Sequence, residues 1–97
     1  MLGDLNLLPL DVQEAMKRAE DLTEKNEKCK LNVCLCYNSK QEILRAVDIV
    51  SEKHSRGMID EINVENFEKE LYGGCNCKPD ILIRTSNEVR LSNFLLY

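Results

Sequence analysis

Two arginines six positions apart, Arg84 and Arg90, are the residues of this chain best fitted to do chemistry. Thr85, Ser86, Asn87, Glu88 and Val89 lie between them, and Ser92 follows Leu91. A guanidinium keeps its charge and presents a planar fork of N–H donors that matches phosphate oxygens. A serine near the start of a helix adds a hydroxyl and a group of exposed backbone N–H donors. Together these make an anion site, and a phosphate or diphosphate suits it best. The competing reading is plain surface pairing of Arg84 and Arg90 with Asp80 and Glu88, where each pair contributes about 0–1 kcal/mol.

The elements that must position these residues can be read from the pattern around them. The apolar triplet Ile81, Leu82 and Ile83 reads as a buried strand running into Arg84. In an open α/β sheet, ligands bind outside the carboxyl ends of the strands, which places Arg84 at that edge. A helix is expected to open near Ser92.

Upstream, Val12, Ala15, Met16, Ala19 and Leu22 recur at helical spacing and predict a helix from about Leu10 to about Lys25. Asp11 and Glu14 have the spacing of a capping box, with Pro9 just outside. Leu31 to Tyr37 is largely apolar on both alternating sets, as a strand covered on both faces requires. A second helix is expected from Ser39, with Glu42 completing a capping box and Ile43, Leu44, Val47 and Val50 as its buried stripe. It stops near Gly57. A third short helix fits from about Val64 to Tyr72, capped by Asn63, stapled by Ile62 and Phe67, and ended by Gly73 and Gly74. Alternating helices and buried strands predict an α/β layer with a parallel sheet.

Composition narrows the field. The chain has 97 residues, 43% of them hydrophobic, enough for one small domain. A net charge of -4 argues against a general nucleic-acid surface. No apolar run is long enough to span a membrane. Five cysteines do not suit a closed disulfide framework. The Cys34–Cys36 and Cys75–Cys77 pairs are closer in sequence than the usual zinc spacing, so reduced thiols in a cytosol-facing compartment are expected. His54, the only histidine, falls in the last turn of the second helix and reads as solvent-facing.

The segment Pro79-Asp80-Ile81-Leu82-Ile83-Arg84-Thr85-Ser86-Asn87-Glu88-Val89-Arg90-Leu91-Ser92-Asn93-Phe94-Leu95-Leu96 resembles the C-terminal signature of cis-prenyltransferases, which make Z-polyprenyl diphosphates. It is most similar to the eukaryotic branch, the dehydrodolichyl diphosphate synthases. Gly3-Asp4-Leu5 with Leu7-Leu8-Pro9-Leu10-Asp11, and Leu31-Asn32-Val33-Cys34 with Tyr37, extend the resemblance along nearly the whole chain. Only two clear strands are present, with the end of a third before Gly3. Residues 1–97 are therefore expected to be a partial cis-prenyltransferase domain, incomplete at both ends, within an undecaprenyl diphosphate synthase-like parallel-sheet fold.

The resemblance implies condensation of isopentenyl diphosphate with an allylic prenyl diphosphate, giving a long polyprenyl product for dolichol synthesis. It implies that Arg84, Arg90 and Ser92 hold the diphosphate of isopentenyl diphosphate, with Ser86 and Glu88 orienting the loop. No catalytic residue is expected in this chain. Magnesium is implied, but its aspartate ligand belongs to an earlier motif; Asp4 is not that residue, and no metal ligand is expected here. The resemblance further implies a heteromeric partner of the Nogo-B-receptor type and a peripheral place on the cytosolic face of the endoplasmic reticulum. Two departures stand out: Asn87 occupies the usual glycine position, and Lys40 the usual arginine position. The alternative is a non-catalytic truncated form or accessory subunit that binds a partner or diphosphate without turnover.

Overall fold

The computed structural model describes residues 1–74 and 79–97. The helices form where capping and periodicity place them. A short 3-10 helix, Leu5–Leu7, is followed by α1 (Leu10–Thr23), α2 (Ser39–Ser55) and α3 (Val64–Glu70). Two compact units result: Met1–Tyr37 and Asn38–Tyr97.

In the first unit, Asp4 turns the chain by accepting the Asn6 backbone N–H at 3.3 Å and its side-chain amide at 3.2 Å. Asp4 is thus a local cap. α1 starts one residue after Pro9, which occupies the N-cap position with no side-chain cap bond. The expected Asp11–Glu14 box is therefore not what opens this helix; proline pre-sets the entry angle instead. Of the proposed α1 stripe only Met16 is buried; Leu22 is 84% exposed.

The expected strand from Leu31 to Tyr37 is reduced to one parallel bridge, Leu2 with Cys34. Leu2 N–H donates to the Val33 carbonyl at 2.8 Å and Leu35 N–H to the Leu2 carbonyl at 2.9 Å. The rung is parallel, as a sheet of this class requires, and it uses the segment just before Gly3. Beyond it Asp4 N–H reaches the Cys36 carbonyl at 3.4 Å, one residue out of ladder register, where Cys36 has φ +50, outside the extended region. Gly3 cannot be replaced: at φ +120, a Cβ would stand 2.0 Å from the Leu35 carbonyl oxygen.

The second unit is built on α2 and α3. Asn38, not Ser39, caps α2, accepting Gln41 N–H at 3.2 Å. The buried stripe is Ser39, Glu42, Ala46 and Val50, while Leu44 and Val47 of the expected stripe are 59% and 46% exposed. The stripe is rotated because its polar members have partners inside. The Glu42 carboxylate accepts Tyr72 N–H at 2.9 Å, and Ser39 Oγ accepts Leu96 N–H at 2.9 Å. Asn63 caps α3 as expected, accepting Asn66 N–H at 2.9 Å. α3 is held to α2 by Lys53 with Glu70 at 2.5 Å, by Arg45 donating to the Glu70 carbonyl at 3.0 Å, and by the Arg45 guanidinium 4.8 Å over the Tyr72 ring.

Two expectations in this unit are corrected. Residues 81–83 pair with no described backbone group, and Ile81, Leu82 and Ile83 are 79%, 49% and 83% exposed. A parallel strand needs neighbours at its edges and cover on both faces; the described part of this unit supplies helices but no second strand. The helix expected near Ser92 is also absent. Ser92 and Leu95 have φ +57 and +46, and a turn bond there runs from Phe94 N–H to the Leu91 carbonyl at 3.3 Å. The expected Cys75–Cys77 pair lies outside the described residues. Cys29, Cys34 and Cys36 are thiols rather than disulfides.

Candidate functional site

Residues 84–97 fold back on themselves and then onto the start of α2. The reversal begins at Ser86 and Asn87, whose φ values are +68 and +52. Two successive residues of this kind make the tight turn that glycine and asparagine favour. Asn87 is therefore one of the least costly residues for this position, since its short polar side chain tolerates the left-handed region. Ser86 contributes the other half of the same turn.

The turn brings Arg84 back alongside the residues that follow. Its Nη1 donates to the Arg90 carbonyl and lies 3.4 Å from Ser92 Oγ. A guanidinium has five N–H donors. Those on Nε and Nη2 remain outside these contacts and form a fork for an oxyanion. Arg90 Nε lies 3.1 Å from Glu88 Oε2, which fixes the base of its guanidinium and leaves both terminal nitrogens beyond that contact. The two cations and the serine expected from the sequence thus share one loop, with Glu88 orienting Arg90. The surface-pairing reading survives for Arg90 with Glu88 alone. The Arg90 side chain is 73% exposed, so the pair itself is worth little to stability.

Sequence reasoning did not single out what anchors this loop. The Asn93 carbonyl accepts Ser39 N–H at 3.0 Å, and Asn93 Oδ1 accepts Lys40 N–H at 3.3 Å. The N–H groups at the start of α2 are thus met by the segment carrying the arginines. Phe67 and Tyr97 meet edge to face with ring centroids 5.0 Å apart, and Tyr97 Oη lies 3.4 Å from Glu68. The hint available beforehand was Asn93 itself, a side chain able to accept at a helix start, placed directly after Ser92.

Chemically the loop offers multiple N–H donors from Arg84 and Arg90, with the Ser92 hydroxyl beside them. Such a set is of the kind that suits phosphate oxygens, and it includes no general base. His54 stays exposed in the last turn of α2. Among the described residues, no three His, Cys, Asp or Glu side chains gather in a way that could hold a metal ion. A separate groove of about 720 Å³ in the first unit is lined by Glu20, Asp21, Glu24 and Lys30 among others, an acidic balance that does not favour an anion.

Residues 1–97 match the prenyltransferase family described as putative undecaprenyl diphosphate synthase. The chain is 48% identical over 99 residues to the dehydrodolichyl diphosphate synthase complex subunit of Homo sapiens, covering all of this chain and 30% of that protein. It is 43% identical over 101 residues to the tritrans,polycis-undecaprenyl-diphosphate synthase (geranylgeranyl-diphosphate specific) of Methanocaldococcus jannaschii, covering 99% of this chain and 36% of the relative. A crystal structure of lavandulyl diphosphate synthase from Lavandula x intermedia, in complex with dimethylallyl diphosphate, matches with a TM-score of 0.91 and 32% identity. That match covers 98% of this chain and 42% of the other. The chain spans about a third of the length of the curated relatives it matches.

Proposed function

Since the chain belongs to the undecaprenyl diphosphate synthase-like prenyltransferase family, we propose that it carries the isopentenyl diphosphate-binding part of a cis-prenyltransferase that makes a long polyprenyl diphosphate. The observation that carries this is the Arg84 guanidinium reaching back to the Arg90 carbonyl and Ser92 Oγ. One loop then presents two cations and a hydroxyl to one anion.

In this reading the free fork of Arg84 and the terminal nitrogens of Arg90 bind the diphosphate oxygens, and Ser92 Oγ donates a further hydrogen bond. Charge-assisted contacts of this kind are roughly twice as strong as neutral ones. They fix the diphosphate end of a homoallylic substrate so that its double bond faces the allylic carbon. Positioning of this kind can supply several kcal/mol of a barrier, of the order of ~7 or more in favourable cases. Glu88 holds Arg90 in register.

Magnesium, which the resemblance implies, would when bound supply charge neutralisation for the departing allylic diphosphate. The described side chains do not assemble a site for it, so no step is assigned to it on these residues. Dolichol as the destination of the product is supported by likeness to the human complex subunit. That protein's description as a complex subunit also supports a heteromeric partner; that the partner is of the Nogo-B-receptor type is what the sequence resemblance adds. Peripheral attachment at the cytosolic face of the endoplasmic reticulum completes the reading. No described helix is long and apolar enough to cross a membrane.

A second reading is a form that binds a partner or a diphosphate without turnover. Calorimetric titration of the full chain with isopentenyl diphosphate tests the site. Binding that is lost in Arg84→Ala and Arg90→Ala supports it; unchanged affinity in both variants sinks it. Incubation with farnesyl diphosphate, labelled isopentenyl diphosphate and magnesium then separates the two readings. Binding without labelled product is expected from the chain alone, and robust elongation would discard the second reading.

A further inference from the structure

Asn93 joins segments 53 positions apart, taking Lys40 N–H on its side chain at 3.3 Å and Ser39 N–H on its carbonyl at 3.0 Å. Ser39 is fully buried and returns the contact, its Oγ accepting Leu96 N–H at 2.9 Å. The residues flanking this clasp are held where L-amino acids rarely go: Ser92 at φ +57 and Leu95 at φ +46. Strain of this kind persists only where surrounding bonds over-determine it, and it concentrates at ligand clamps.

We propose that Asn93 and Ser39 are a positioning pair that sets Ser92 and Arg90 for the diphosphate, without touching the anion themselves. This rests on the isopentenyl diphosphate reading above and adds to it the residues that hold the grip in shape. Asn93 follows Ser92 directly, so its anchorage to α2 fixes the direction in which Ser92 Oγ meets Arg84 Nη1. Release of Asn93 frees Ser92 to return to the ordinary negative-φ region. The hydroxyl then leaves the loop, and the Arg90 carbonyl that Arg84 uses as its own anchor moves with it. The sequence 84-90-92 supplies the donors; the clasp at 39 and 93 supplies their geometry.

The test uses the full chain with Asn93→Ala, Asn93→Asp and Ser39→Ala. Affinity for inorganic diphosphate and for isopentenyl diphosphate is read by calorimetry, and folding by circular dichroism and thermal midpoint. Asn93→Ala is expected to weaken both ligands between about tenfold and a hundredfold at a temperature where helix content is intact. Asn93→Asp keeps the acceptor and puts a carboxylate on the positive end of α2, so its thermal midpoint holds or rises. Its clasp to Lys40 is kept, so it binds diphosphate more tightly than Asn93→Ala and within about tenfold of the parent chain, the remaining deficit being charge repulsion. Affinity that is lost with the acceptor and recovered with it is an outcome that a role unrelated to the clasp does not give. Where Asn93→Ala fails to fold, Asn93→Gln, which keeps the amide but not its reach, takes its place. If Arg84→Ala and Arg90→Ala lose binding while Asn93→Ala, or Asn93→Gln in its place, keeps it, the positioning proposal alone is overturned. If the arginine variants also bind like the parent chain, the diphosphate reading falls and the positioning role with it.

Discussion

Arg84 does two jobs with one guanidinium, and this shapes what its replacement should do. One nitrogen closes the loop on Arg90 and Ser92, and the others remain for an anion. Arg84→Lys keeps the charge but has no planar fork, so it cannot close the loop and hold a phosphate together. Loss of a charge-assisted hydrogen bond costs about 1.5–3 kcal/mol. Arg84→Lys should therefore weaken isopentenyl diphosphate binding by roughly ten- to a hundredfold, with little change in thermal midpoint, since the side chain is exposed. Calorimetry checks this, and affinity equal to the parent would show that charge alone suffices. Asn87 makes a separate prediction because its φ is +52. Asn87→Gly should be neutral or stabilising within about 1 kcal/mol, while Asn87→Val should cost about 1–3 kcal/mol through backbone strain. Denaturant unfolding of the two variants reads the difference, and an unaffected valine variant would contradict the left-handed turn.

Helix α2 shows how far local sequence reaches. Its extent was legible because a cap, a run of helix formers and a terminal glycine are all local signals. The face it buries was not legible: hydropathy favours Leu44 and Val47, but Ser39 and Glu42 go inside because Leu96 and Tyr72, some 57 and 30 positions away, donate backbone N–H groups to them. Residues 81–83 fail for the related reason that β pairing is non-local, so an apolar triplet names a candidate strand without naming its neighbours. The site loop sits between these cases. The identity of its donors was legible, whereas its shape depends on Asn93 meeting α2. At this scale Asn38→Ala should cost about 1 kcal/mol, the usual loss of an N-cap, measurable as a lower thermal midpoint. An unchanged midpoint would return the capping role to Ser39. α3 carries a clear electrostatic signal. Lys69, 2.7 Å from Glu65 one turn earlier, holds the Glu65 carboxyl below its ordinary range, first by hydrogen bonding and then by charge. A depressed carboxyl pKa stabilises the fold above the unfolded-state value and stops doing so as pH falls through the folded one. Glu65→Gln should thus lower helix stability slightly at neutral pH and not at all once pH is below the carboxyl range. A difference that persisted in acid would assign the effect to something other than this pair.

Across the whole molecule, burial is thin relative to the apolar content. Among the described residues, Met16, Ala46 and Val50 are the buried hydrophobics, while Leu10, Leu22, Leu31, Ile81, Ile83 and Val89 are each more than three-quarters exposed. Burial of apolar surface is the main term favouring folding, at about 25 cal/mol per Å², and it must offset a backbone entropy loss of about 1–2 kcal/mol per residue. Within each unit, therefore, the helices rest on little buried apolar surface. Helix content and tertiary cooperativity should separate as a result. Far-ultraviolet circular dichroism should report the helices, while urea unfolding should give a shallow transition whose slope is below that of a compact domain of this length. Exposed apolar surface should also bind 8-anilinonaphthalene-1-sulfonate at neutral pH, as loosely packed states do. Isopentenyl diphosphate ties residues 84–92 together and should stabilise by mass action, adding about 2.7 kcal/mol at a hundredfold excess over the dissociation constant. The dye signal from the apolar faces should change little when it does, because the ligand closes a polar loop and covers none of Leu10, Leu22 or Ile81. A steep, single unfolding transition with no dye binding would show that the chain buries these residues in solution, and the thin-core description would then fail while the diphosphate loop remained to be judged by its own titration.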